Sequence, residues 1–154
     1  NLMLTTPKKM KQLRDLGLDH ILTSFPSIDK PENDRIMQVK DSVKKIERGI
    51  KNALDNDIRV SINMVITKFN YKRVYDTGKY IADLGCQKFF VTRAVPPVYS
   101  TSEKKPEVPI EYQMTHEEAK SALDQAIRVK EEFGVGIGSL VNYPICFLGD
   151  LEKY

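Results

Sequence analysis

Polar residues take alternate positions in an otherwise apolar run in the middle of the chain, from Val60 to Thr67. One set of alternating positions is wholly apolar, and the other contains Ser61, Asn63, Val65 and Thr67. A parallel strand covered on both faces is normally near-continuously apolar, and burial of an amide or hydroxyl without a partner is costly. The run therefore predicts a strand with one face for helices and one face for a ligand, centred on Asn63. A structural hydrogen bond from Asn63 to a neighbouring strand is the alternative.

The elements that must position these residues repeat along the chain. Four times an amphipathic helix ends at Gly or Asn and an apolar strand follows within a few residues; the closing residues are Gly17, Asn56, Gly85 and Gly134. Both residue types tolerate the left-handed conformation that ends a helix. Strands are predicted over residues 20–23, 60–66, 89–92 and 135–141. The alternation predicts an α/β fold with right-handed crossovers and a parallel sheet.

Local signals mark where the helices begin. Thr6-Pro7 is an N-cap with proline in the first turn, and Thr115 to Glu118 is a capping box. A third helix is predicted to start near Asp41 and Ser42 and to carry an apolar stripe from Val43 to Leu54, and a fourth to follow Asn70 as its cap. The apolar stripes on these helices are interpreted as core packing.

Functional groups of such folds lie where the strands end. The predicted strand ends are all polar: Thr5-Thr6, Thr23-Ser24, Ile66-Thr67 and Thr92-Arg93. Two long loops follow, over residues 25–39 and 94–114. Loops of this length usually bear binding residues or cover a site, and the second is alternatively a mobile surface insertion.

Composition restricts the class of protein. The 154 residues include 24 Lys and Arg against 21 Asp and Glu, with mixed signs along the chain. Without a clustered basic stripe there is no indication of a nucleic-acid partner, and no apolar run indicates a membrane span. Lys8, Lys9 and Lys11 are interpreted as a solvated helix face. The first residues, from Asn1 to Leu4, are expected to lie within a strand, as in a fragment.

The two cysteines are Cys86 and Cys146, which lack a C-x-x-C partner and so predict no zinc site. The absence of a signal peptide favours a cytoplasmic, reduced protein. Cys86, at a helix–strand junction, is expected to be buried and structural. His20 and His116 lack a metal-ligand partner and are expected to be structural.

Several segments together resemble the radical S-adenosylmethionine (radical SAM) enzymes that carry a SPASM or twitch-type C-terminal extension. The segments are Thr23-Ser24 with Asp29 and Asn33-Asp-Arg-Ile36, then Gly49-Ile50 with Ile58 to Asn70, Asp83-Leu-Gly85 before Phe89, and Tyr143-Pro-Ile-Cys146. The C-x-x-x-C-x-x-C motif that ligates a four-iron cluster in that family is absent from this chain.

The resemblance implies a partial TIM-type barrel over residues 1–142 and the start of an auxiliary-cluster extension over residues 143–154. It implies S-adenosylmethionine as cofactor, with a 4Fe-4S cluster present in the full-length parent alone, since two cysteines cannot supply three converging thiolates. The isolated chain is then expected to be inactive, and cleavage of the cofactor to 5′-deoxyadenosine by a reconstituted sample would overturn that expectation.

The resemblance also implies roles for individual residues. Ser24, Arg35, Asn63, Ser61 and Thr67 would bind the cofactor, Arg35 by pairing with the methionine carboxylate. Alternatives are loop capping for Ser24, an ion pair with Asp34 or Glu32 for Arg35, and helix capping for Asn70. Arg93 would contact substrate unless strand alternation turns it outward, and Cys146 would ligate an auxiliary cluster.

Two classes of function remain open from the sequence. The first is a fragment of a radical SAM oxidoreductase or maturase, a peptide or protein substrate being suggested by Cys146 alone. The second is a non-catalytic half-barrel that binds a ligand or peptide. A third, a barrel enzyme working through carboxylates, has little support because no acidic pair falls on the strand ends. In each case the open sheet edges predict dimerisation or aggregation.

Overall fold

A computed structural model describes residues 2–95, 112–141 and 143. Its helices are α1 (Pro7–Asp15), α2 (Lys30–Met37), α3 (Ser42–Leu54), α4 (Val74–Asp83) and α5 (His116–Phe133), and short 3₁₀ helices span Leu2–Leu4 and Tyr71–Arg73. The strands are β1 (His20–Ser24), β2 (Arg59–Ile66), β3 (Lys88–Arg93) and β4 (Gly136–Gly138). No helix in these ranges has the length and apolarity needed to cross a membrane.

The described strands form one parallel sheet in the order β1-β2-β3-β4, as the repeated strand–helix pattern predicts. The register aligns one residue of each strand in a single row across the sheet, namely Ser24, Asn63, Phe90 and Gly138. The next row toward the amino ends on the same face contains Leu22, Ser61, Lys88 and Gly136. Parallel pairing in this order is the topology of a partial TIM-type barrel.

The two faces of the sheet have different environments. Four alternating residues of β2 are fully buried in the core with residues of α3, α4 and α5; they are Val60, Ile62, Met64 and Ile66. On the other face Leu22 is 46% exposed and Val65 is 42% exposed. The division between a helix-covered face and an open face confirms the prediction from the alternation in β2.

Most predicted helix boundaries are confirmed. Thr6 caps α1 by accepting the Lys9 N–H, and Thr115 and Glu118 form the capping box of α5. Gly17, Gly85 and Gly134 have φ values of 96°, 93° and 69°, which an L residue rarely adopts. After α3 the left-handed residue is Asp57 rather than Asn56. Lys8, Lys9 and Lys11 are exposed as predicted.

The amino-terminal prediction is wrong. Leu2–Leu4 is a 3₁₀ helix rather than part of a strand, and Thr5 donates its hydroxyl to the Leu2 carbonyl at 2.7 Å. Leu2 and Met3 are buried against α3, where a Cβ on Gly49 would lie 2.1 Å from the Leu2 oxygen. Packing against a glycine therefore sets the conformation of this segment. Thr5-Thr6 does not end a strand.

Residues 25–39 are also not simply a loop, because α2 lies within them. Its signals are present in the sequence: Asp29 accepts the Glu32 N–H at 3.0 Å as N-cap, and Pro31 is in the first turn.

The last predicted strand is shorter than expected, with pairing confined to Gly136–Gly138. Residues 96–111 of the second long loop lie outside the described residues, as do residues 144–154.

Asn70 does not cap the helix that follows it. Its side chain is fully buried and accepts the Thr67 N–H at 2.7 Å. It also donates to the carbonyls of Pro26 (3.0 Å) and Val65 (2.9 Å). Asn70 thus joins the loops that follow β1 and β2, and it holds together the two strand ends that carry the predicted site.

Candidate functional site

A chain of hydrogen bonds orients the Asn63 amide. The Leu140 N–H donates to the Thr92 hydroxyl at 3.2 Å, and that hydroxyl donates to Asn63 Oδ1 at 2.7 Å. The bond to Thr92 is the neighbouring-strand hydrogen bond considered from the sequence. It satisfies the oxygen of the amide, while no acceptor among the described residues pairs with Nδ2. Asn63 therefore presents its NH₂ group on the open face of the sheet as a donor for a ligand.

Ser24 lies beside Asn63 in the same row. The two residues are register partners on β1 and β2, so their Cα atoms are about 4.8 Å apart. Ser24 is exposed, and its hydroxyl has no partner within the described part of the chain, which leaves no evidence for a capping role there. One hydroxyl and one amide donor thus stand side by side at the carboxyl end of adjacent strands.

Apolar side chains surround this polar pair. Leu22 and Val65 lie on the same face one row below and one row above Asn63, and Phe90 is the β3 partner of Asn63 in the same row. Gly138, opposite Phe90, has so little room that a Cβ there would lie 3.0 Å from the Phe90 ring. The combination of oriented donors and apolar walls suits a ligand with both polar and apolar parts.

Ser61 and Thr67 are less available than the sequence predicts. Ser61 is buried, lies one row below Asn63, and shares a 2.7 Å hydrogen bond with His20 Nε2. The Thr67 hydroxyl accepts the Phe69 N–H at 3.2 Å and lies 3.3 Å from Asn70 Oδ1. The Thr67 hydroxyl closes the turn after β2 instead of joining the row of Ser24 and Asn63.

Arg35 has a different neighbour from either partner considered from the sequence. Its guanidinium carbon lies 4.4 Å from the centroid of the Phe69 ring, a cation–π contact. Phe69 in turn makes an edge contact with Tyr112 at 5.2 Å. No carboxylate of the described residues lies within ion-pair distance of Arg35, so its N–H groups remain open to an anion.

The two carboxylates that the sequence suggested as ion-pair partners of Arg35 bind other groups. Asp34 accepts the backbone N–H groups of Ser42 (2.7 Å) and Asp41 (2.8 Å). The Ser42 hydroxyl and these N–H groups lower the pKa of Asp34. Glu32 lies 4.0 Å from Arg73 instead.

Glu32 and Phe69 are residues of interest that the sequence reasoning missed. Together with Asp29, Pro31, Arg35 and Ile36 they line a cavity of about 300 Å³ between α2 and the turn after β2. Burial raises the pKa of Glu32, and its Oε1 has no partner within the described residues. The N-cap spacing from Asp29 to Glu32 was a signal for this first helical turn.

Arg93 does not join the row of Asn63. Alternation along β3 places it on the side of Phe89 and Val91, which are both fully buried toward the helices. Tyr143 lies close by, with its hydroxyl donating to the Val91 carbonyl at 3.1 Å, and burial raises the pKa of Tyr143 to about 12. The geometry therefore favours the outward-turned alternative for Arg93 over substrate contact.

The described residues do not fit an iron–sulfur cluster. No group of three His, Cys, Asp or Glu side chains within them converges on a metal position. Cys86 is 3% exposed within the hydrophobic core, which confirms its predicted burial. The predicted auxiliary-cluster ligand, Cys146, lies outside the described residues.

Cys86 is expected to resist alkylation while the chain is folded. Burial raises the pKa of its thiol to about 12, so at pH 8 the reactive thiolate is scarce as well as inaccessible. In a Cys146→Ser variant, iodoacetamide labelling at pH 8 should be at least about a hundredfold slower in buffer than in 6 M urea. The reason is that burial of this kind raises a thiol pKa by about two units or more, and each unit lowers the thiolate fraction about tenfold. Mass spectrometry of the alkylated peptide measures the two rates. Fast labelling in buffer would contradict the burial of this thiol.

Comparison with known proteins places the geometry in a known fold. No family model matches the chain, and a search of curated proteins finds no match. A solved structure of anSMEcpe, determined with bound AdoMet and the Kp18Cys peptide, matches with a TM-score of 0.68. The match covers 89% of this chain at 16% sequence identity.

The chain shares its fold with part of the anSMEcpe structure. It spans 38% of the length of the anSMEcpe chain. The resemblance noted in the sequence is thereby confirmed at the level of the fold, since anSMEcpe is a radical SAM enzyme with a SPASM or twitch-type extension. At this identity the match shows the fold alone, and the roles of individual residues are argued from their geometry.

Proposed function

We propose that this chain is the cofactor-binding part of a radical SAM enzyme that modifies a peptide or protein. The observation that carries the proposal is the Asn63 amide, which Thr92 orients so that its NH₂ group faces the open side of the sheet. Ser24 supplies a hydroxyl beside it. The bound AdoMet of anSMEcpe, whose fold this chain shares, is consistent with such a ligand.

The chemistry of S-adenosylmethionine suits this row of residues. Its ribose hydroxyls, carboxylate and adenine nitrogens are acceptors for the Nδ2 group of Asn63 and for the hydroxyl of Ser24. Its adenine ring and methylene groups suit the apolar side chains of Leu22, Val65 and Phe90.

Arg35 is proposed to meet the carboxylate of the methionine part. Its stacking on Phe69 holds the guanidinium plane while leaving the N–H groups unpaired with any described carboxylate. Ser61 and Thr67 contribute indirectly, the first through His20 and the second through the turn that contains Asn70. Arg93 stays a weaker proposal for substrate contact because of its position on the helix side.

Radical chemistry would be supplied by S-adenosylmethionine together with a 4Fe-4S cluster held by cysteines of the full-length parent. The residues of this chain would bind and orient the cofactor and exclude water beside it. The division into a partial barrel at 1–142 and an auxiliary-cluster extension at 143–154, with Cys146 as a ligand, is part of the same proposal. A peptide substrate is supported by the Kp18Cys peptide bound to anSMEcpe.

Calorimetry with S-adenosylmethionine tests the assignment of Asn63. We expect Asn63→Ala to weaken binding by about tenfold or more, because a ligand loses its hydrogen bond and the Thr92 hydroxyl loses its acceptor. The matched control is Asn56→Ala, whose amide donates to Asn52 at the end of α3, and it should bind as the wild type does. Equal affinity of wild type and Asn63→Ala would contradict the assignment.

The same experiment separates the two classes of function. A non-catalytic half-barrel that binds a peptide without a cofactor predicts no heat with S-adenosylmethionine in either protein. An enzyme fragment predicts binding of the cofactor without cleavage to 5′-deoxyadenosine, which chromatography of the reconstituted sample measures.

A further inference from the structure

A second group of polar side chains lies at the opposite end of the sheet. His20 begins β1, Arg59 begins β2 and Lys88 begins β3. His20 precedes Ser24 by four residues, so it lies about 13 Å along β1 from the row of Asn63, while Lys88 lies about 7 Å along β3 from that row. Together with Ser61, Gln87 and Val60 these residues line a cavity of about 250 Å³. The proposed cofactor site involves this cavity through the Ser61–His20 pair and does not use Arg59, Gln87 or Lys88.

The charge in the cavity is positive. Arg59 and Lys88 are permanent cations at neutral pH, and no carboxylate is among the lining residues. Lys88 has no acidic partner in the described chain, and its β4 partner, Gly136, adds no side chain to that side. Arg59 pairs with Asp19 at 2.9 Å, but both side chains are more than half exposed, so this pair is weak and easily exchanged.

The other lining groups are hydrogen-bonding groups. The buried Ser61 hydroxyl shares its hydrogen bond with His20 Nε2, which fixes the imidazole ring at one wall. Gln87 adds a side-chain amide, which has no hydrogen-bond partner among the described residues. Donors therefore come from three adjacent strands. Of the described acidic residues, Asp19 pairs with Arg59, and Asp57 lines an adjoining cavity with Arg59.

We propose that this cavity binds a small phosphate monoester. A phosphate group carries between one and two negative charges at neutral pH and three terminal oxygens, which matches two cations and neighbouring neutral donors better than a single carboxylate does. The volume lies below the roughly 300–1,000 Å³ of sites for drug-sized ligands, so a compact molecule fits better than a nucleotide.

Titration of the 154-residue chain with inorganic phosphate at constant ionic strength, followed by NMR, tests this proposal. We expect saturable shifts of the His20 ring and the Lys88 amide. Lys88→Gln should weaken binding by about tenfold, because a charge-assisted hydrogen bond is lost. Asp19→Asn should tighten binding by about threefold, because the Arg59 guanidinium is then no longer paired with a carboxylate and is free to pair with phosphate.

Two controls make the result decisive. Lys44→Gln removes the same charge from the exposed side of α3 and should leave the affinity unchanged. Acetate at the same concentration should shift the same signals less. The proposal is overturned by absence of saturation, by equal weakening in the Lys44 and Lys88 variants, or by acetate binding as tightly as phosphate. The affinity for S-adenosylmethionine should be the same in Lys88→Gln as in wild type. The phosphate site and the proposed cofactor site are therefore tested independently of each other.

Discussion

Replacing Asn70 by alanine should lower the free energy of unfolding by about 3 kcal/mol. The side chain is fully buried, and its loss leaves the carbonyls of Pro26 and Val65 and the N–H of Thr67 without their partner. Buried polar groups left unpaired carry a larger penalty than the net value of the bonds themselves. For a domain whose total stability is of the order of 5–15 kcal/mol, this is a large fraction.

Urea unfolding followed by circular dichroism measures this change. Asn56→Ala is the control, since it removes a single bond to Asn52 near the end of α3 and should cost at most about 1 kcal/mol. Asn70→Asp keeps the acceptor but sets a buried carboxylate oxygen against the carbonyls of Pro26 and Val65, so at neutral pH its midpoint should be no higher than that of Asn70→Ala. Equal midpoints for the Asn70 and Asn56 alanine variants would show that the bonds of Asn70 do not hold the two strand ends together.

Gly78→Ala should destabilise the fold by about 2 kcal/mol, although alanine favours a helix over glycine by about 1 kcal/mol. A Cβ at Gly78 would lie 2.5 Å from Val129 Cγ2 and 3.1 Å from Phe89 Cε1. Both of these residues are fully buried, so neither side chain has room to move aside. Overpacking between α4 and α5 therefore outweighs the helix propensity.

A double-mutant cycle with Val129→Ala tests this argument. The two single variants should each be destabilised, and the double variant should be more stable than the sum of the two changes predicts, because the smaller side chain removes the clash. Thermal or urea unfolding of the four proteins gives the coupling free energy. A Gly78→Ala variant more stable than wild type would mean that helix propensity governs this position and that the α4–α5 contact is looser than the structure shows.

Local signals in the sequence predicted most elements because each acts within one turn or one strand. The capping box at Thr115 and the proline after Thr6 identified helix starts, and alternation in β2 separated its two faces. The start of α2 carried a comparable signal in Asp29 and Pro31, although the sequence analysis predicts a loop there. The strand prediction for the first residues was wrong because burial of Leu2 against Gly49, 47 positions away, sets their conformation.

The site residues were harder to predict because their roles depend on partners far along the chain. Arg35 was expected to pair with a nearby acid, yet it stacks on Phe69 from a different loop. Ser61 was expected on the ligand side, yet a bond to His20, 41 positions away, occupies it. Asn70 was interpreted as a helix cap, yet it joins two loops.

The sequence by itself determined the class of fold and the polar character of one face of β2, because periodicity and capping are properties of neighbouring residues. Tertiary structure alone decided which polar residue of that face is open to a ligand. Strand register brings Thr92 to Asn63 across 29 positions of sequence, and the resulting hydrogen bond turns the amide so that its NH₂ group is left for a partner. Composition and spacing carry no information on that register, which the packing of the helices against the covered face of the sheet sets.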